Sequence, residues 1–471
     1  MRLSDARTQS ARRIIGTNSD IRDPRPNSRP VRTLIRKVIG SDGQLSHTSL
    51  HLMVSTLGTA FIGLIFWGAA AHLFSTNEVG IGSAEISAMS LIASFAQLNL
   101  ANGYVRFLPV AGKETATLIR HGYMLCLGTA AVVVTVFVIT PGVREIAFHG
   151  SWGDVLFVIS VLLWTIFILQ DGVLTGLRRA PVVPVENISF ALAKLLLLPL
   201  FALVAPAHGV FFAWTIPVVP AVGLVSWVVV RHVRRRGNPM VRSGSLPLPR
   251  GSELRSFLSA EYVHSLVSTS WTFLLPVVIE AQRGGVAEAH FYIPWLVYTT
   301  CMNLFANVSS GVVLEVAGGA VDVSGVLRRG VAIMGALAAV ALVICVGLPR
   351  PILELFSSSY GTSGAVNVLR WIGLSMPFDV LAMLLGSYLW IEGRIWWLVA
   401  ARFVQASVLI GGAELLLKPV GIAGAGIALV VSSASVAPIG IPVLVRWYRR
   451  SSPSRPPAPP GPPAAISPTH R

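Results

Sequence analysis

Twelve apolar stretches, each close to the ~20 residues a helix needs to cross a bilayer, recur along this chain between short polar interruptions. The pattern predicts spans near 49–73, 80–104, 117–140, 154–176, 181–204 and 208–231. A second set follows near 254–280, 286–314, 326–348, 364–390, 395–416 and 419–446. Within the region 350–364, PILELFSSSYG reads as an interfacial helix before the tenth span. The fold class expected is an all-α polytopic membrane protein with two six-helix lobes.

Composition supports the bilayer as solvent. Of 471 residues, 53% are hydrophobic and only 12% charged, where soluble domains carry roughly a quarter. The net charge of +16 raises nucleic acid as a partner, so the placement of the basic residues decides. With a cytosolic N-terminus, 30 of the 37 Lys and Arg fall on one side and four (Arg144, Arg283, Arg350 and Lys418) on the other. Lys194, Arg370 and Arg402 lie within spans. This is the positive-inside pattern, and a missed span would scramble it. It predicts an inner (cytoplasmic) membrane protein with both termini cytosolic, and it accounts for the charge without nucleic acid.

The tails differ from the spans. Residues 1–46 are basic and expected to be disordered, with Val31–Gly40 a candidate amphipathic surface helix. Residues 451–471 form a Pro-rich cytosolic tail. The six-span halves, 47–236 and 254–450, are joined by a cytosolic linker over 237–253 carrying RHVRRR at its approach and SGSLPLP within it. Short matches relate the halves: QLNLANG (Gln97–Gly103) and CMNLFAN (Cys301–Asn307), and Gly209 and Gly424 at equal offsets from Arg231 and Arg446. Parallel halves of this kind place a substrate site between them near the midplane. Pro217, Pro220, Pro276, Pro294, Pro377 and Pro438 lie within spans as candidate bends.

Charges inside hydrocarbon are costly and are functional candidates by default. Here they are Asp171, Glu186, Lys194, Glu261, Arg370, Asp379, Arg402 and Glu414, with Arg106 and Arg255 at helix ends. Glu186 and Lys194 are eight residues apart, and Arg402 and Glu414 twelve, too far to pair within one helix. Each therefore needs a partner on another helix, in water or on a substrate. Glu261, His264, Ser268 and Thr272 form a stripe at helical spacing, expected to line a water-filled cavity, with a hydrogen-bonded helix seam as the alternative. Cys126, Cys301 and Cys345 fall in separate apolar stretches and suggest neither disulfides nor metal ligation. No GxxxxGK[ST] motif is present, so ATP-driven transport by this chain alone is not expected. No cofactor or metal is expected, and the short outer loops argue against an enzyme.

The run from Thr56 to Pro109, with Asn77-Glu78-Val79-Gly80 before the second span and Arg106-Phe107-Leu108-Pro109 after it, resembles the start of Wzx-type polysaccharide flippases. These belong to the multidrug/oligosaccharidyl-lipid/polysaccharide exporter (MOP) superfamily. The resemblance implies movement of a polyprenyl-diphosphate-linked oligosaccharide to the outer leaflet by alternating access, for cell-surface polysaccharide such as lipopolysaccharide. It implies a cationic lumen, for which Arg106, Lys194, Arg255, Arg370 and Arg402 are the candidates, since guanidinium groups bind phosphate in pairs of hydrogen bonds. Asp171, Glu186, Glu261, His264, Asp379 and Glu414 are the ion-coupling candidates. Membrane lipids and the lipid-linked oligosaccharide are the implied partners, and the tails leave contacts with glycosyltransferase or polymerase complexes open. The rival readings are a MATE-like drug or cation antiporter, a lipid II flippase, a major-facilitator carrier and a membrane-embedded glycan polymerase or ligase.

Overall fold

A computed structural model describes residues 44–140, 151–236, 251–317 and 323–451. The two tails, most of the expected linker and the Val31–Gly40 segment lie outside the described residues. The elements in chain order are α1 (Gln44–Leu73), α2 (Thr76–Ala96), α3 (Leu100–Phe107), α4 (Thr115–Ile139), α5 (Ser151–Gly176) and α6 (Val182–Val204). Then come α7 (Gly209–Thr215), α8 (Val218–Arg236), α9 (Gly251–Arg283), α10 (Gly285–Ala317) and α11 (Val323–Gly347). Last are α12 (Pro349–Glu354), α13 (Ser363–Ile391), α14 (Ile395–Val420), α15 (Ala423–Ala434) and α16 (Ala437–Ser451). Among the described residues every regular element is a helix. Eleven helical segments are long and apolar enough to cross a membrane, and the described part of α1 adds the apolar turns Phe61–Leu73. This is a multi-pass membrane protein.

Three expected spans are broken, each for a local reason. The second ends at Ala96 because Leu98 and Asn99 both take left-handed backbone angles (φ 49° and 56°). Asn tolerates this conformation better than most residues; here its Oδ1 accepts from Asn102 Nδ2 at 2.7 Å. The matching CMNLFAN segment stays helical inside α10, so the likeness between the halves does not extend to this bend. The sixth span parts between α7 and α8 at Pro217, and the twelfth between α15 and α16 just before Pro438. A proline removes a helical donor and clashes with the turn before it. Pro276, Pro294 and Pro377 remain inside unbroken helices. PILELFSSSYG forms the short α12 and a 3-10 turn over Ser358–Tyr360, with Leu353 and Tyr360 fully buried.

The start of α2 explains the NEVG motif. Ser75 and Glu78 cap the helix reciprocally: the Glu78 amide donates to Ser75 Oγ (3.3 Å), and the Ser75 amide to Glu78 Oε2 (2.8 Å). Two residues on, Gly80 lies directly against Gly285 at the start of α10. A Cβ there would overlap the Gly285 carbonyl, so only glycine allows the two backbones this approach.

Two helical halves result, and α2 is the principal bridge between them, packing on α9 and α10, with α1 adding a smaller contact to α10. Apolar burial is unevenly divided along the helix axes. One large cluster takes residues from both halves: Phe66, Trp67 and Phe74 of α1, Met89 of α2, Ile293 of α10, Leu353 of α12, and Tyr360 and Leu369. It sits toward the face that carries Arg283, Arg350 and Lys418. At the opposite, arginine-rich face the clusters separate, Tyr104, Ile119 and Val229 belonging to one half and Val312, Val326 and Leu327 to the other. Among the described residues the halves share an apolar cluster at one end only; toward the other, Tyr262 Oη of α9 still donates to the Phe95 carbonyl of α2 (2.9 Å).

Candidate functional site

Three groups of buried polar residues stand out in this frame. The first is Lys194 on α6. Its side chain is buried, and its ammonium lies 3.3 Å from the centre of the Trp214 ring, with Phe66 (5.0 Å) and Phe190 (5.4 Å) around it. Among the described residues no carboxylate lies within ion-pair distance, so ring faces, rather than an anion, stabilise the charge, by about 2 kcal/mol when desolvated. Trp214 and Trp67 approach at 6.2 Å, and Trp67 meets Tyr292 of α10 at 4.5 Å. Lys194 is thus separated from the other half by a layer of aromatic rings.

The second group lies inside the C-terminal half. Asp379 on α13 is buried and accepts from Ser433 Oγ (2.6 Å), Ser375 Oγ (2.8 Å) and Tyr298 Oη (3.4 Å). Arg402 on α14 donates to Gln405 Oε1 at 3.1 Å and acts electrostatically on Asp379, Tyr298 and His264. Helices α9, α10, α13, α14 and α15 each contribute to this network.

The third group lines the sealed end and escaped the sequence reading altogether. Glu85 on α2 is fully buried and meets His208 Nδ1 at 2.7 Å. Glu288 on α10 is fully buried and accepts from Ser83 Oγ of α2. Glu280 on α9 acts electrostatically on both carboxylates. Glu85 was visible as a charge inside an apolar stretch. Glu288 stood close enough to a span's start to read as a helix-end residue.

The other expected residues are scattered. Arg106 is half-buried on α3, its guanidinium 5.8 Å from the centre of the neighbouring Phe107 ring. Asp171 and Glu186 meet at the arginine-rich end of the N-terminal half, away from Lys194. Arg370 on α13 and Glu414 on α14 are both exposed. Arg370 is nine residues before Asp379 on α13, half a turn out of phase, so the packing that buries one turns the other outward. The side chains of Arg255 and Glu261 lie outside the described residues. In the remainder of their stripe, Ser268 Oγ contacts His264 Nε2 (3.4 Å), Thr272 bonds the Ser268 carbonyl (3.2 Å), and Trp295 of α10 bonds the Thr272 carbonyl (3.1 Å). The first two contacts lie within α9 and only that of Trp295 joins it to a neighbouring helix, while His264, Ser268 and Thr272 all stay partly exposed. A surface cavity of about 600 Å³ opens at the sealed end, beside Arg283, His290 and Gly421, apart from all three groups.

No family model matches this sequence, and no curated protein matches it. Solved structures do. The inward-facing conformation of a multidrug resistance MATE family transporter of the MOP superfamily superposes with a TM-score of 0.62 at 15% identity, covering 89% of this chain and 98% of that one. The fold is that of MATE transporters. The outward-facing conformation of a multidrug resistance MATE family transporter follows at a TM-score of 0.58 and 12% identity, over 90% of this chain and 99% of that one. A MOP superfamily transporter from Pyrococcus furiosus, described by a binding pocket of reversed polarity, gives 0.58 at 12% identity over the same shares. At such identities the likeness establishes the MATE fold, and the superfamily fold that the flippase resemblance implies, but not the flippase branch.

Proposed function

We propose that this chain is an alternating-access transporter that exports an amphipathic substrate bearing an anionic headgroup, of the polyprenyl-diphosphate-linked oligosaccharide type. The observation that carries the transport reading is the asymmetry of packing: among the described residues, the apolar cluster shared by both halves lies at one end, where Gly80 meets Gly285. With the arginine-rich face cytosolic, as the charge distribution implies, this is a state closed to the outside. Opening that end exchanges the contacts of α2 with α9 and α10 for contacts at the other. The anionic headgroup is supported by Lys194 and Arg402, neither of which is bonded to a carboxylate among the described residues.

A MATE-like antiporter for cationic drugs is the second reading, favoured by the carboxylates of Glu85, Glu280 and Glu288 and by the aromatic rings around Lys194. One experiment separates the two. Cells depleted of the protein are analysed by mass spectrometry for lipid-linked glycans and their leaflet accessibility. Build-up of a polyprenyl-diphosphate oligosaccharide on the cytosolic side supports the flippase and identifies its cargo. An unchanged lipid pool with altered sensitivity to cationic drugs supports the antiporter instead.

A further inference from the structure

The surface cavity at the sealed end is built where three connections meet: the α9–α10 turn, the start of α13 and the α14–α15 turn. Positive groups converge on it. Arg283, the last residue of α9, is exposed, and its guanidinium reaches across to the α14–α15 turn, where Nη2 would stand 3.5 Å from a Cβ on Gly421. Gly364 lets the start of α13 lie against Ile422, since a Cβ there would meet that side chain at 3.2 Å. Two helix N-termini thus open into one space. In α13, Thr362 Oγ accepts from the Ala365 amide (3.4 Å) and the Thr362 carbonyl from the Val366 amide (3.0 Å). The amides of Ser363 and Gly364 are left without a partner among the described residues. Helix α15 has no side-chain cap, and the amides of Ile422 and Ala423 are likewise unpartnered among the described residues.

A guanidinium beside the positive ends of two helices is unfavourable by itself, and among the described residues no carboxylate lines the cavity to offset it. Gln282 is an independent sign of what fills the space. Its Oε1 is buried without a donor, so Nε2 is the end of the amide left to reach the cavity that the residue lines. His290 stands on the same wall, its Nε2 donating to the Ser359 carbonyl at 3.0 Å. Donors from a guanidinium, an amide and two helix starts, with no acid among them, describe a site for an anion. The rim has a second character: Val286 and Val420 are 48% and 46% exposed. An apolar rim over a cationic floor suits a phosphate carried on an amphiphile. We propose that this cavity binds a phosphate group at the sealed end, either a phospholipid headgroup or free phosphate. The Arg283 fork takes two phosphate oxygens through paired hydrogen bonds, and the amides at the helix starts take others. The site lies wholly in the C-terminal half, apart from Lys194 and from the Asp379 network, and its occupancy does not depend on which substrate is exported.

The test uses the full chain, stripped of lipid in dodecyl maltoside. Radiolabelled orthophosphate is followed by equilibrium dialysis, and phosphatidylglycerol by native mass spectrometry, with diacylglycerol as a lipid lacking the phosphate. Saturable binding of phosphate, of phosphatidylglycerol or of both is expected. Phosphatidylglycerol alone assigns a lipid headgroup, orthophosphate alone a free anion, and both together a phosphate recognised whatever carries it. Arg283→Ala should weaken binding about tenfold or more, the scale of one charge-assisted hydrogen bond. Arg283→Lys, which keeps the charge and loses the fork, should recover part of it. Arg350→Ala should leave binding unchanged, because Arg350 is exposed on the same face but bonded to Glu354 (2.8 Å). Should Arg283→Ala not fold, Gln282→Glu, which sets a carboxylate at the cavity, carries the test and should also weaken binding. Absence of saturable binding of either probe overturns the proposal. So does binding that survives Arg283→Ala, an equal loss in Arg350→Ala, or diacylglycerol bound as tightly as phosphatidylglycerol.

Discussion

Ser83 on α2 donates a hydrogen bond to Glu288 on α10, and both residues are fully buried although 205 positions separate them. This bond ties one half of the molecule to the other within a turn of the Gly80–Gly285 contact. It can exist only while that end is closed, because separating α2 from α10 returns both groups to water.

Gly80→Val should therefore prop the sealed end apart. A side chain there meets the Gly285 backbone, which cannot yield as a flexible side chain would. Spin labels at positions 179 and 394, exposed on opposite halves at the arginine-rich face, should move closer together in this variant. An unchanged distance distribution would mean that the Gly80 contact does not set the resting state.

Lys194→Met tests the caged ammonium. Methionine nearly matches the length of the side chain and keeps the packing against Trp214, so thermal stability should hold. Export should fall by about tenfold or more if the charge binds substrate, the equivalent of one desolvated cation–π contact. A large drop in melting temperature would instead assign the lysine to structure.

Asp379→Ala should destabilise the C-terminal half by about 2–3 kcal/mol, since it leaves the hydroxyls of Ser433 and Tyr298 without their acceptor, while Ser375 keeps the Ile372 carbonyl. Asp379→Asn, which retains an acceptor oxygen, should cost less. Thermal denaturation of the two variants in the same detergent checks the order.

Arg370 and Arg402, equal candidates by sequence, should now part company. Arg370→Ala removes an exposed side chain and should leave export within about twofold of normal, as surface substitutions usually do. Arg402→Ala removes the cation beside Asp379 and Tyr298 and should reduce export strongly. Export assays on both variants, normalised to the amount of folded protein in the membrane, decide this. Equal losses would place Arg370 back on the substrate path.

The helices were legible because their signal is local. Some twenty apolar residues in succession allow little but a membrane helix, and the arginines sort the connections by side. The bends at Pro217 and Pro438 were marked by residue type and that at Asn99 was not, while Pro276, Pro294 and Pro377 carry the proline mark inside unbroken helices. Whether a helix bends depends on what supplies the freed backbone groups, and that is a tertiary matter. Charges were legible as candidates and not as a site. Helical spacing says that Asp379 and Arg370 face opposite ways, but not which direction is inward.

By itself, then, the sequence determined the solvent and the class of fold, both of which follow from hydropathy along a single helix. The tertiary structure alone decided that Lys194 is held by aromatic rings, that Glu85 and Glu288 are buried at the meeting of the halves, and that Arg370 and Glu414 are exposed. Those outcomes depend on which helices become neighbours. Residues as distant as Ser83 and Glu288 meet only once the chain has packed α2 against α10.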